Sequence, residues 1–171
     1  MKNRQIRKLA LAGMLIALGV ACSPLYIPVG ASKCFPVQHM VNVLAAVFLG
    51  PWYGVGMAFC TSLLRNIMGT GTLLAFPGSM VGALVCGLTY MKTRNIGLTC
   101  IAEVIGTALL GGMLAFPMAK LILGNAEAAL FTYVMPFAVS TIGGSVIAFV
   151  LIAVLKKSGA LKKMEETIDV K

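Results

Sequence analysis

The chain has 171 residues, enough for one domain; 59% of them are hydrophobic and only 11% are charged. A mean hydropathy of +0.95 excludes a soluble core with a solvated surface and reads as an integral membrane protein. The net charge of +9 does not mark a nucleic-acid binder, because the basic residues flank apolar runs and do not share one face: Lys2, Arg4, Arg7 and Lys8 precede the first run, Lys92 and Arg94 interrupt the middle, and Lys156, Lys157, Lys162 and Lys163 follow the last.

The first span is expected over residues 9–27. Its basic start and apolar continuation resemble a signal peptide, and Gly19-Val-Ala-Cys22 resembles a lipoprotein cleavage site. Gly19 stands where a Leu is usual in such a site, and the topology derived below needs the segment, so it is read as retained. Ala10, Gly13, Ala17 and Ala21 form a stripe of small residues along it. Such a stripe lets a second helix approach closely, either within this protein or from a docked partner.

Apolar character resumes near Met40 and runs to Leu64, broken at Gly50-Pro51-Trp52-Tyr53-Gly54. Charge decides whether this is one span or two. With a turn at Gly50–Gly54 and both termini cytoplasmic, eleven of the fourteen Lys and Arg are cytoplasmic, and only Lys33, Arg65 and Lys120 lie outward. With a single span the bias is lost, so the positive-inside rule favours two, at 38–50 and 54–67. Pro51 disfavours a continuous helix. The segment 38–50 would be only about 20 Å long as a helix, too short to cross alone, and its neighbours must shelter it.

Further spans are expected at 73–91, 96–118 and 131–155. The expectation is therefore an all-α membrane protein, residues 1–171 forming a single six-helix domain, multi-pass in the cytoplasmic membrane of a prokaryote with both termini inside. Glu103 is the one acid inside a span. With no cation recognisable beside it, it reads as a packing or partner-contact residue in preference to a proton relay.

The polar residues are not scattered. Lys33, Cys34, Gln38, His39 and Asn42 precede or open the second span; Ser62, Arg65 and Asn66 end the third; Thr70, Thr72 and Ser79 lie in the next loop and the start of the fourth. In the six-span topology these three segments meet at one depth, on the outer side. Gln38 and Asn42 share a helix face, with His39 close to it. Lipid solvates none of these groups, so an outward-opening polar pocket is the simplest account. Cys34 with His39 could suggest a membrane enzyme, but no carboxylate lies near in sequence to orient the imidazole. A metal site is not expected, since zinc needs three or four ligands. The five cysteines follow no pairing pattern. Gly69-Thr-Gly-Thr72 lacks the lysine and spacing of a phosphate-binding loop, so no nucleotide chemistry is expected in this chain.

Taken together, Lys33-Cys-Phe-Pro-Val-Gln-His-Met-Val-Asn42, Leu49-Gly-Pro-Trp-Tyr-Gly54, Ser62-Leu-Leu-Arg-Asn66 and Gly69-Thr-Gly-Thr-Leu-Leu-Ala-Phe-Pro-Gly-Ser79 resemble the ThiW family. These are substrate-binding S components of energy-coupling-factor transporters for the thiazole precursor of thiamine. The resemblance implies a six-helix bundle that binds hydroxyethylthiazole near the outer face, with no cofactor of its own. It also implies a transmembrane T component and two ATPase subunits that use ATP, with Ala10, Gly13, Ala17 and Ala21 meeting the T component. The ligand would sit among Lys33, Phe35, Gln38, His39, Asn42, Arg65, Asn66, Thr70, Thr72, Phe76 and Ser79. Trp52 is a weaker aromatic candidate, because the topology puts it at the inner turn. The residues alone leave open an S component for another vitamin or a metal ion, a stand-alone proton-coupled carrier using Glu103, and an enzyme using Cys34 and His39.

Overall fold

The computed structural model describes residues 2–29 and 32–168. Its helices are α1 (Lys2–Ala21), α2 (Pro36–Phe48), α3 (Pro51–Ile67), α4 (Ala75–Thr93), α5 (Ile96–Leu121), α6 (Val134–Lys157) and α7 (Ala160–Ile168). Between α1 and α2, strands β1 (Ile27–Val29) and β2 (Ser32–Cys34) pair antiparallel, with Ile27 opposite Cys34 and Pro28 opposite Lys33. Two helices, α5 and α6, are each long and apolar enough to cross a bilayer.

Helix α2 is the centre of the bundle and packs against α1, α3, α4, α5 and α6. Every residue from Gln38 to Leu49 is buried. Apart from Gln38, His39 and Asn42 it is apolar on all sides, and such a helix has no face to offer water or headgroups, so it is surrounded. Pro36 sits in its first turn, where a missing N–H costs nothing. At its far end the amides of Leu49 and Gly50 both donate to the Ala45 carbonyl, and Gly50 adopts φ 87°, the left-handed conformation that glycine tolerates. Pro51 then opens α3 at once. The link is therefore tighter than the anticipated Gly50–Gly54 turn: Trp52, Tyr53 and Gly54 are already helical.

Two local departures from expectation have simple causes. Helix α1 stops at Ala21 and does not run to residue 27, because Pro24 and Pro28 cannot donate to a helical ladder and the chain turns into the hairpin. Helix α7, unforeseen in the sequence, buries Leu161 and tucks Met164 against the core while Lys162, Lys163 and Glu166 stay exposed. It is a short amphipathic helix at the bundle surface.

The chain runs back and forth between two ends. At one end Arg4 and Lys8 of α1, the Gly50-Pro51 link, and Tyr90 and Arg94 at the close of α4 surround a common recess. The hairpin and the loops joining α3 to α4 and α5 to α6 lie at the other.

Close crossings depend on glycine. A Cβ at Gly144 of α6 would meet the Pro36 carbonyl and come within 2.7 Å of His39 Cβ. At neighbouring Gly143 the nearest atoms, on Pro36, lie at an ordinary 3.5 Å. Gly144→Ala is therefore expected to destabilise the fold by about 1–3 kcal/mol, whereas Gly143→Ala is neutral or stabilises by up to about 1 kcal/mol. Thermal unfolding of both variants in detergent checks this; equal midpoints would mean that α2 and α6 do not cross here.

Candidate functional site

At the hairpin end a recess penetrates the bundle. The hairpin and α2 supply Lys33, Phe35, Gln38 and His39; α3 supplies Arg65; the following loop and α4 supply Thr72, Ala75, Gly78 and Ser79; α5 supplies Thr107; α6 supplies Phe137 and Ser140. Its free space is about 400 Å³ including the open mouth, of which about 40 Å³ is open to the centre of a water molecule, room for a few waters.

Each polar side chain is held by a specific contact. Phe35 N–H donates to Ser140 Oγ at 2.7 Å, and the Cys34 thiol donates to the Pro136 carbonyl at 3.1 Å, so the end of the hairpin is fastened to the start of α6. Arg65 is 1% exposed. Its guanidinium lies 3.6 Å from the centroid of the Phe35 ring, and Nη1 donates to Gln38 Oε1 at 3.3 Å. Arg65 Nε and Nη2 and Gln38 Nε2 are buried with no hydrogen-bond partner. Lys33, by contrast, is exposed, with its ammonium 4.6 Å from the Tyr26 ring centroid.

Behind the recess is a polar knot around Glu103, which is fully buried and does not line it. Its Oε1 is 3.0 Å from His39 Nδ1, accepts from Asn42 Nδ2 at 3.0 Å and accepts from Thr107 Oγ1 at 3.1 Å. Asn42 Nδ2 also donates to the Ser79 carbonyl at 3.2 Å. Thr107 lies in a π-helical stretch, Ile105–Gly111, inside α5. Such widened turns concentrate at functional sites. Helix α4 comes close enough to admit the carboxylate because position 82 has no side chain: a Cβ there would meet Thr107 Oγ1 and lie 3.0 Å from Glu103 Oε2.

This placement agrees with the packing half of the reading of Glu103 and corrects its isolation: the acid has His39, Asn42 and Thr107 beside it. The carboxylate that seemed missing beside His39 arrives from α5, 64 residues away in sequence. The only hint in the sequence was its position as an acid inside a span. Thr107, Phe137, Ser140, Ala75 and Gly78 were also missed; apolar, small and hydroxyl residues carry no signal when their partners are distant.

The anticipated site residues separate into two groups. Lys33, Phe35, Gln38, His39, Arg65, Thr72 and Ser79 line the recess, and Asn42 lies behind it in the Glu103 knot. Asn66, Thr70 and Phe76 do not line it. Asn66 Nδ2 donates to the carbonyls of Ser62 and Thr72, shaping the loop after α3. Thr70 Oγ1 is 2.9 Å from Ser23 Oγ and ties that loop to the end of α1. Phe76 packs on Phe59 at 5.6 Å between ring centroids. Trp52 is 78% exposed on the first turn of α3, at the opposite end of the bundle. Cys34 and His39 share the region but not a bond: the thiol is committed to Pro136 and the imidazole to Glu103. Burial pushes the Cys34 thiol above its ordinary pKa, which disfavours a nucleophilic thiolate. Among the described residues no group of three or more His, Cys, Asp or Glu is placed to hold a metal ion.

On α1 the small-residue stripe faces away from the bundle. Ala10, Gly13, Ala17 and Ala21 are exposed, while Ala12, Leu15 and Gly19 face inward. A Cβ at Gly13 would meet nothing within 4 Å.

A family model described as thiamine-precursor transporter protein (ThiW) matches residues 9–158. The chain belongs to the ThiW family. No curated protein and no solved structure matches it. As a ThiW protein it is a membrane protein of a thiamine-precursor transporter, and a small molecule is its substrate.

The Glu103 knot ties α2 to α4 and α5. Asn42→Ala removes one donor from a buried carboxylate and one bond to the Ser79 carbonyl, so it is expected to lower stability by about 1–3 kcal/mol. Chemical or thermal unfolding in detergent reads this directly; an unchanged midpoint would show that Asn42 does not hold the helices together.

Proposed function

We propose that this ThiW protein is the S component of an energy-coupling-factor importer for hydroxyethylthiazole. In this reading six helices, α1 to α6, lie in the cell membrane with both termini cytoplasmic, and the recess at the hairpin end opens outward. A T component and two ATPase subunits supply the energy, and this chain performs no catalysis. The observation that carries the reading is the recess itself, in which aromatic faces from Phe35 and Phe137 accompany a few convergent hydrogen-bonding groups. That combination suits a small aromatic alcohol. The gathering of Arg4, Lys8 and Arg94 at the opposite end supports the orientation. The outward-facing stripe Ala10, Gly13, Ala17 and Ala21 supports docking of a partner helix. Because the enclosed volume is small, the ligand enters by displacing lining side chains, and Phe35 and Phe137 are the bulkiest.

Calorimetry on the purified protein should give saturable binding of hydroxyethylthiazole, and His39→Ala should weaken it at least about tenfold, close to 1.4 kcal/mol. Calorimetry is preferable to tryptophan fluorescence, since Trp52 is remote from the recess. No saturable binding, with a different vitamin bound tightly, would overturn the substrate assignment. Uptake that persists without the T component and ATPase subunits would make the chain a stand-alone carrier instead.

The orientation has its own test. In a background with Cys22 and Cys60 replaced by Ser, Lys33→Cys should react with a membrane-impermeant thiol reagent added outside intact cells. Lys92→Cys should react only after permeabilisation. The reverse pattern would invert the topology.

A further inference from the structure

The hydrogen bonds around His39 fix which end of a ligand goes where. We propose that Glu103 is a positioning residue: it holds His39 with the proton on Nδ1, so that Nε2 presents a lone pair to the recess and the site selects a ligand with a hydroxyl donor at one end and an acceptor at the other. This rests on the reading of the recess as a thiazole-alcohol site, and it adds the ligand's orientation and a reason for choosing the free alcohol.

Three groups crowd one carboxylate oxygen. Asn42 Nδ2 can reach Glu103 Oε1 only as a donor, and the Thr107 hydroxyl donates to the same oxygen. An ionised carboxylate accepts and does not donate, so His39 Nδ1, at 3.0 Å from the same oxygen, donates as well. A neutral imidazole protonated on Nδ1 has its lone pair on Nε2, the tautomer being set by the partner of the other nitrogen. His39 lines the recess. Its Nε2 has no partner among the described residues and is not one of the buried unpartnered atoms, so it is reachable from the recess.

The Arg65–Gln38 part of the lining has the opposite polarity. Arg65 Nη1 donates to Gln38 Oε1, which fixes the amide so that Gln38 presents Nε2, a donor. Arg65 Nε and Nη2 are donors too; all three are unpartnered but covered, so a ligand reaches them by displacing the Phe35 ring that stacks on Arg65. Lys33 adds a fourth donor group at the mouth. Arg65, Gln38 Nε2 and Lys33 therefore supply donors, and the His39 Nε2 edge supplies an acceptor. A thiazole ring nitrogen accepts from the Arg65–Gln38 side while the hydroxyethyl group donates to His39 Nε2. A methyl ether at that oxygen can no longer donate.

Two measurements test this. The chain has a single histidine, so ¹⁵N-histidine labelling of the ligand-free protein gives one imidazole spectrum. At neutral pH it should show Nδ1 protonated and Nε2 bare. A ring protonated on Nε2, or on both nitrogens, would overturn the proposal whether or not any thiazole binds. Calorimetry then compares hydroxyethylthiazole with its methyl ether. The wild type should favour the alcohol by about tenfold or more. In Glu103→Gln an amide can donate to Nδ1 and release the tautomer, so the ratio should fall towards one. A residue that only supported the fold would weaken both ligands equally and leave the ratio intact, and that result would overturn the positioning role. Absence of binding by both thiazoles to the wild type would sink the substrate assignment, while the imidazole spectrum would still decide the tautomer.

Discussion

A carboxylate with no exposure to water must find its hydrogen bonds inside the protein. That constraint on Glu103 organises the bundle. For Oε1, helix α2 answers it with His39 and Asn42, α5 with Thr107 one turn on, and α4 makes room by having glycine at position 82, while Oε2 stays buried with no partner among the described residues. In a lipid environment apolar contact between helices brings little of the driving force that water would supply, because acyl chains are as apolar as leucine. Polar bonds and close glycine crossings then decide which helices meet. The same knot that binds three helices together also sets the chemical character of the deepest point of the recess.

Helix α2 shows why this arrangement is possible. It is short, and from Gln38 on it is buried, so its polar first turn, which follows the hairpin directly, faces other elements and not the surface. Its second half, Val43 to Phe48, is packed tightly and contributes only dispersion and shape. One helix thus does two jobs: its first half lines a recess, and its second half closes the bundle beneath it.

Much of this was legible in the chain. Apolar runs interrupted by Pro51 and bracketed by lysine and arginine gave an all-helical membrane protein, and the concentration of polar residues near 33–42, 62–66 and 70–79 pointed to the region where Gln38, His39, Arg65 and Ser79 do converge. Residues whose meaning depends on a distant partner were not legible. Glu103 looked isolated because its neighbours on α2 lie a third of the chain away. Asn66 and Thr70 looked like ligand contacts because an amide or hydroxyl near a recess cannot be told, from sequence, from one that ties a loop. The hairpin went unseen because each strand is only three residues long, too short for an alternating pattern to register.

The packed half of α2 has a consequence for traffic. Below Asn42 the central helix presents only buried aliphatic side chains and Phe48, with Cys86, Thr99 and Ser145 buried singly on the neighbouring helices. A solute that arrives at the floor stands in a cul-de-sac with one doorway. In the reading of the recess as the binding site, passage to the far end of the bundle then requires the packing around Val43–Phe48 to rearrange.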